Sequence, residues 1–253
     1  MLVTGATGTV GRSLVGLLRA AGAAVRPASR HPPDPDTVAF DFRDRSTWRT
    51  AFDGVEAMFL LRPPDLTRVS RDLAPPLAFA QVLGLRHVVL LSVQGAGKVP
   101  VLPHAAAERW LRRSGLSWTF VRPSYFDQNL TGDIAPDIRD RNQIVVPAGG
   151  VRTAFVDAHD VAAVAAAALL SPREHAGRAW TPTSPALTYD EVAVVLSAEL
   201  GRRIRYRRPG LLTYARHARG VLGLPPAMVA VTAALHATAR LGLAGSRRRM
   251  WRR

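Results

Sequence analysis

Val3-Thr4-Gly5-Ala6-Thr7-Gly8-Thr9-Val10-Gly11-Arg12 stands at the opening of the chain and decides how the rest is read. Leu2 and Val3 close a short apolar run, three glycines follow at three-residue intervals, and Ser13 to Ala20 carries Leu14, Val15, Leu17 and Leu18 at helical spacing. The order is strand, glycine turn, helix. Gly5 permits the tight turn, Gly8 lets the backbone approach a pyrophosphate, and Gly11 lets the new helix pack against the strand. The N–H groups at that helix N-terminus then attract an anion without any charged side chain. Glycines at this spacing also punctuate ordinary turns, but here the flanking strand and helix favour a dinucleotide site. Gly5, Thr7, Gly8, Thr9, Val10 and Gly11 are therefore assigned to a bound cofactor.

Composition bounds the alternatives. At 253 residues the chain holds one large α/β domain with a small appended lobe. There is no cysteine, which removes disulfides and thiolate chemistry, and no metal-ligand set is assigned. No basic region precedes an apolar run at the start, so a cytoplasmic location is expected. The net charge of +15 is unevenly spread: thirteen arginines and no acidic residue lie between Gly201 and Arg253, which leaves +2 for everything before. Arg247-Arg248-Arg249 and Arg252-Arg253 end this basic stretch. Nucleic acid or an anionic membrane surface is a conceivable partner for it. A solvated face is the favoured reading, because no nucleic-acid-binding signature accompanies the charge and the chain uses arginine almost to the exclusion of lysine.

Further along, short apolar strands alternate with helical patterns, the signature of a doubly wound parallel sheet. Strands are expected at Ala23 to Ala28, Val38 to Phe40, Ala57 to Leu61, Val88 to Ser92 and Trp118 to Arg122. The expected helices lie over Thr47 to Phe52, Val69 to Leu83 with Pro75-Pro76 kinking or dividing it, and His104 to Leu111 opened by Pro103. Ligands in such sheets sit outside the carboxyl ends of the strands. Leu61, Arg62, Ser92 and Pro123, with Phe126 just beyond, are assigned to the cofactor on that ground, and Asp41 and Phe42 to the adenine. At the end of the second strand, Ser29-Arg30-His31 offers no carboxylate for a ribose 2′-hydroxyl but does offer Arg30 for a 2′-phosphate, which favours NADP(H) over NAD(H). His87 reads as a packing or surface residue. Ser124 to Leu130 mixes aromatic and amide groups after a strand end, where a substrate pocket belongs. Residues 131–150 read as a polar connection ending in a strand at Gln143 to Val146. A strand over Phe155 to Asp157 and an Ala-rich helix from Asp160 to Leu170 follow. Thr188 and Glu191 form a capping box for a helix from Tyr189 to Leu200, and Ile204 to Arg208 alternates as a strand. Beyond Pro209 the chain is helical, and Met228 to Leu243, interrupted by His236 and Arg240, reads as a packed helix and not a membrane span. The expected domains are 1–170 for the dinucleotide and 171–253 for a mostly helical lobe that also receives parts of 124–155.

Taken together, the opening glycine stretch, Val89-Leu90-Leu91-Ser92, Glu108 to Leu116, Val121-Arg122-Pro123-Ser124-Tyr125-Phe126-Asp127-Gln128-Asn129 and Asp157-Ala158-His159-Asp160-Val161-Ala162 resemble the NmrA-like group of atypical short-chain dehydrogenase/reductases. The resemblance covers about residues 1–210. It implies a parallel Rossmann sheet with a small C-terminal lobe, an NADPH site, and activities from quinone or azo-dye reduction to cofactor sensing without turnover. In catalytic relatives a tyrosine donates a proton and a lysine four residues later anchors the ribose. Carried onto this chain, the tyrosine position is Pro100 and the lysine position is His104, while Ser92 lies near the family's serine. Proline has no proton to give, so the usual carbonyl-reducing pair is absent.

Two functions remain. One is NADPH-dependent hydride transfer to a quinone-like or other conjugated small-molecule acceptor, with His104 or Tyr125 as the catalytic group. The other is a non-catalytic NADP(H)-sensing or protein-interaction module.

Overall fold

The computed structural model describes residues 1–100 and 102–240. Elements follow in the order β1 (Leu2–Thr4), α1 (Thr9–Ala20), β2 (Arg26–Ser29), β3 (Val38–Ala39), α2 (Trp48–Phe52), β4 (Ala57–Leu61), α3 (Val69–Asp72), α4 (Ala74–Val82), β5 (His87–Leu91), α5 (Pro103–Arg113) and β6 (Ser117–Val121). Next come β7 (Tyr125–Phe126), α6 (Gln128–Thr131), α7 (Ala135–Arg141), β8 (Gln143–Ile144), β9 (Thr153–Val156), α8 (Ala158–Leu170), α9 (Pro172–His175) and β10 (Arg178–Trp180). β11 (Ala186–Leu187), α10 (Tyr189–Glu199), β12 (Arg205–Tyr206), α11 (Leu211–Gly220) and α12 (Pro226–Arg240) complete the order.

Two compact units emerge. The first joins Met1–Pro123 to Ala158–Pro182, and the second joins Ser124–Asp157 to Thr183–Arg253. In the first unit seven parallel strands run in the order β10-β6-β5-β4-β1-β2-β3. This is a doubly wound Rossmann-type α/β sheet, and its inner strands read as unbroken apolar runs because helices cover both faces. On one side α1 lies along α8, which also crosses β4, β5 and β6. Ala158, Ala162, Ala165, Ala166 and Ala168 are buried in α8, so their small side chains permit that close packing. A separate core gathers Phe40, Phe42, Trp48, Phe52, Leu60, Leu77, Leu90 and Phe120.

Several details differ from the sequence expectation. α1 begins four residues earlier, at Thr9, since Gly8 serves as the N-cap and its carbonyl accepts from Arg12 N–H at 2.9 Å. The helix over 69–83 is, by contrast, divided as its prolines predict, at Leu73, with Pro75 in the first turn of α4. Residues 171–182, read as the start of the lobe, carry β10, the edge strand that pairs in parallel with β6. That strand has no apolar alternation to announce it, because Arg178 and Ala179 are both exposed at the sheet edge.

The second unit contains a three-stranded sheet, β11-β9-β7, and the pair β12-β8. Its core holds Ile134, Ile138, Ile144, Val146, Phe155, Tyr189 and Val192. The capping box is present: Thr188 Oγ1 accepts from Glu191 N–H at 3.2 Å, and the Glu191 carboxylate accepts from Thr188 N–H at 2.7 Å. Within residues 131–150 the strand expected at Gln143 to Val146 is present as β8, but the polar connection before it holds a helix, α7. Among the described residues no helix is long and apolar enough to cross a membrane. The residues from 241 onward, including the terminal arginines and the end of the helix read over Met228 to Leu243, lie outside the described residues.

Candidate functional site

The glycine turn is built as the spacing requires. Gly5 has a positive φ of 65°, and a Cβ there would come within 3.1 Å of Leu61. Gly11 has no room at all, since a Cβ would stand 2.1 Å from the Gly5 carbonyl oxygen. Gly8 N–H donates to that same oxygen at 3.0 Å and closes the turn. Thr7, Gly8 and Thr9 form its exposed rim, while Val10 is buried beneath. No side chain caps α1 and no acidic residue stands in its first turn, so the positive end of the helix dipole is unopposed. Arg12 folds back over the turn and donates to the Thr7 carbonyl at 3.0 Å, which holds a guanidinium beside the rim.

Beside the turn, parallel register aligns the carboxyl ends of three further strands. Leu61, Leu91 and Val121 are in step across β4, β5 and β6, so Arg62, Ser92 and Arg122 follow side by side. Thr4 locks β1 to this edge: its hydroxyl donates to the Phe59 carbonyl at 3.0 Å and accepts from Leu61 N–H at 2.9 Å. Arg62 spends one guanidinium nitrogen on the carbonyls of Pro63, Pro64 and Leu66, at 2.7, 3.3 and 2.9 Å. Its Nε is buried with no hydrogen-bond partner among the described residues.

Glu108, on α5, is only 1% exposed and anchors the neighbouring ends. Its carboxylate accepts from Ser92 Oγ at 2.7 Å and from Arg122 Nε and a terminal nitrogen at 2.8 and 2.5 Å. Arg112 approaches at 3.5 Å, one turn on. Ser92 is thus committed to Glu108 as a donor. Pro123 is buried, and its carbonyl accepts from Gln94 N–H at 3.0 Å, tying the loop after β5 to the end of β6. Gly97 in that loop lies against the Arg122 guanidinium, where a Cβ would come within 3.4 Å.

His104 sits in the first turn of α5, opened by Pro103. Burial lowers its imidazole to about 4, with the Arg62 guanidinium adding to the shift and Glu108 opposing it. Near neutral pH His104 is uncharged. The Pro100 carbonyl accepts from Arg109 at 3.0 Å.

His87 and His236 are also lowered to about 4, both by burial first. His87 is held between Ser117 and Thr119, at 2.9 and 3.3 Å, as a buried packing residue. All three histidines bind a proton near pH 6.5 when unfolded and near 4 when folded. Between those values the unfolded chain holds more protons, so stability falls as pH drops, by up to about 1.4 kcal/mol per pH unit for each group. Urea unfolding from pH 7 to pH 4 measures this, and a flat profile would refute it.

The remaining assigned residues are dispersed. Arg30 is exposed at the end of β2. The Asp41 carboxylate accepts from Arg43 N–H at 2.8 Å, and the Phe42 ring is in the core, edge-on to Phe40 at 4.7 Å. Tyr125 and Phe126 form β7 in the second unit, parallel to Phe155 and Val156. The Tyr125 hydroxyl is bonded to Tyr189 and Asn129, and burial raises its pKa, so its proton is firmly held.

The profile of an NAD(P)H-binding family matches residues 5–172, from the glycine turn through α8, a span that takes in most of the first unit and Ser124–Asp157 of the second. The chain belongs to that family. Within it, the chain falls in the NmrA-like group of atypical short-chain dehydrogenase/reductases. It is 35% identical over 257 residues to an NAD(P)H azoreductase of Xenophilus azovorans, covering 94% of this chain and 87% of the relative. It is 37% identical over 228 residues to a (4-alkanoyl-5-oxo-2,5-dihydrofuran-3-yl)methyl phosphate reductase of Streptomyces griseus, covering 83% and 77%. In fold it resembles an NADPH-dependent quinone oxidoreductase of Escherichia coli solved with NADPH, with a TM-score of 0.84 at 22% identity over 97% of this chain and 90% of the other.

For a member of this NAD(P)H-binding family, the glycine turn is the part whose geometry fits the cofactor directly: a rim of exposed backbone, an uncapped helix end and a guanidinium held beside it. Arg62 Nε adds a buried donor, without a partner among the described residues, at the same strand edge. Sequence reading missed Thr4, Glu108 and Arg122 as organisers of that edge. The one available signal for Glu108 was its four-residue spacing from His104 on α5, which places both on one helix face. Nothing in the local pattern pairs either with Ser92 or Arg122.

Proposed function

We propose that this protein is an NADPH-dependent reductase that delivers hydride to a conjugated small-molecule acceptor of the quinone or azo type. The observation that carries the reading is His104, a neutral imidazole at the position of the family's catalytic lysine. Bound NADPH supplies the hydride. The chain's task is then to bind and orient. The α1 N-terminus and Arg12 hold phosphate, and Arg62 and His104 offer neighbouring polar groups at the edge of the sheet.

With a pKa of about 4, His104 is not an imidazolium near neutral pH and cannot act as a strong general acid there. It acts as a neutral hydrogen-bonding group that orients or polarises. Pro100 has no acidic proton, and the Ser92 hydroxyl donates its hydrogen bond to Glu108. Acceptors whose reduced form takes its proton from water suit such a site better than simple ketones do. The azoreductase and quinone-reductase names of its relatives point the same way.

The direct test is NADPH oxidation with a panel of quinones, azo compounds and simple ketones. Turnover confined to the first two classes supports the reading. Tight NADPH binding without turnover on any of them would make the protein a cofactor sensor, the role that the missing tyrosine favours.

Cofactor choice is part of the same proposal. Arg30 is the cation at the end of β2, where no carboxylate stands to receive a ribose 2′-hydroxyl. Arg30→Ala is expected to weaken NADPH binding by about 1–3 kcal/mol and leave NADH nearly unchanged. Calorimetry with both cofactors checks this, and equal losses would refute a 2′-phosphate contact.

A further inference from the structure

A concentration of positive charge in the second unit has no part in the proposed reduction. Along residues 203–207 strand alternation sorts the side chains. Ile204 is buried, and Tyr206 turns inward so that its hydroxyl donates to the Val146 carbonyl at 2.9 Å. Arg203, Arg205 and Arg207 are left exposed on the opposite face. β12 pairs in parallel with β8, setting Arg205 opposite Gln143. Asn142, in the left-handed region at φ 52°, turns the chain from the end of α7 into β8. Arg202 braces that turn by donating to Asn142 Oδ1 and to the Ile138 carbonyl. Arg141, Asn142, Arg203, Arg205 and Arg207 consequently line one cleft of about 250 Å³.

Four carboxylates of this unit are already paired, one of them with the cleft's own Arg141. Asp137 is fully buried, paired with His217 at 2.6 Å and with Arg141 at 3.7 Å. Asp140 takes both arms of Arg139, at 2.7 and 2.9 Å. Asp190 pairs with Arg208 at 2.7 Å, and Glu191 with Arg152 at 3.0 Å. Among the described residues the side chains of Arg203 and Arg205 have no hydrogen bond or ion pair, and that of Arg207 reaches only Gln143 Oε1, at 3.1 Å. No acidic residue follows position 200 in the sequence to neutralise them.

Guanidinium groups gathered around one cleft repel one another. An oxyanion with several oxygens converts that repulsion into charge-assisted hydrogen bonds, and the planar fork of arginine matches phosphate geometry. We propose that this cleft is a second anion site, separate from the glycine turn, for a compact multivalent phosphate of the kind carried by diphosphate-bearing small molecules.

Inorganic pyrophosphate is the probe, titrated calorimetrically into the full chain with NADPH present so that the glycine turn is not the site measured. The expected result is saturable binding that Arg203→Gln/Arg205→Gln weakens more than tenfold, the scale of losing charge-assisted bonds, with NADPH affinity unchanged. Arg45→Gln/Arg49→Gln removes the same charge from exposed positions in the first unit and is expected to change pyrophosphate binding less than twofold. Equal losses in the two variants would show a response to net charge alone and overturn the site. So would absence of binding at low salt, or retention of duplex DNA or anionic vesicles through Arg203 and Arg205 when pyrophosphate is not held.

Discussion

Replacing Glu108 with alanine is expected to destabilise the protein by about 3–5 kcal/mol, the range for removing one partner of a buried ion pair. The carboxylate is the only acceptor found for the Arg122 side chain among the described residues, and that side chain is itself only 19% exposed. Arg122 also lies over the Phe120 ring at 5.8 Å, so little water can replace the lost contact. Ser92 loses its acceptor in the same substitution. Chemical denaturation of the single variants and of Glu108→Leu/Arg122→Met measures the coupling. The double variant is expected to be more stable than Glu108→Ala, because it removes both charges together. A loss under about 1 kcal/mol for Glu108→Ala would mean that the cluster is solvated and does not organise the strand edge.

Gly11→Ala is the second large effect, expected to cost about 3 kcal/mol or more and to abolish measurable NADPH binding. A methyl group 2.1 Å from the Gly5 carbonyl oxygen forces the turn and the first residues of α1 apart. That separation moves the backbone amides assigned to the pyrophosphate. Gly16→Ala provides the contrast on the same helix. A Cβ there meets nothing within 4 Å, so its expected effect is a gain of about 0.5–1 kcal/mol from helix propensity. Thermal melts and NADPH titrations of the pair separate a demand for space from a general intolerance of side chains in α1. Similar behaviour of the two variants would refute the packing account.

Much of the first unit was legible because parallel strands buried on both faces leave continuous apolar runs. The strands read at Ala57 to Leu61 and Val88 to Ser92 match the observed ones within a residue at each end. The glycine turn was legible because it is local: its three backbone requirements fall within seven residues. The second unit was less so. β7 and β11 are two residues each, too short to express a period, and α7 places a buried Asp137 where polarity suggests a loop, whereas β8 and β12 fall inside the strands read at Gln143 to Val146 and Ile204 to Arg208. Phe42 could not be read as a core residue locally: its position after a strand suggested the adenine, and only the packing shows its ring in the core.

The family resemblance supplied the expectation that Pro100 and His104 replace the tyrosine–lysine pair, while from the sequence alone came the strand–turn–helix assigned to a dinucleotide and the bias of positive charge toward the C-terminal end. Each is written in residue types at short separation, where backbone sterics and charge act without reference to the rest of the chain. Only the tertiary structure decided that Ser92 is spent on Glu108, that His104 is neutral, and that four arginines share one cleft. Those properties depend on burial and on neighbours tens of residues away, brought together by strand register that no local pattern encodes.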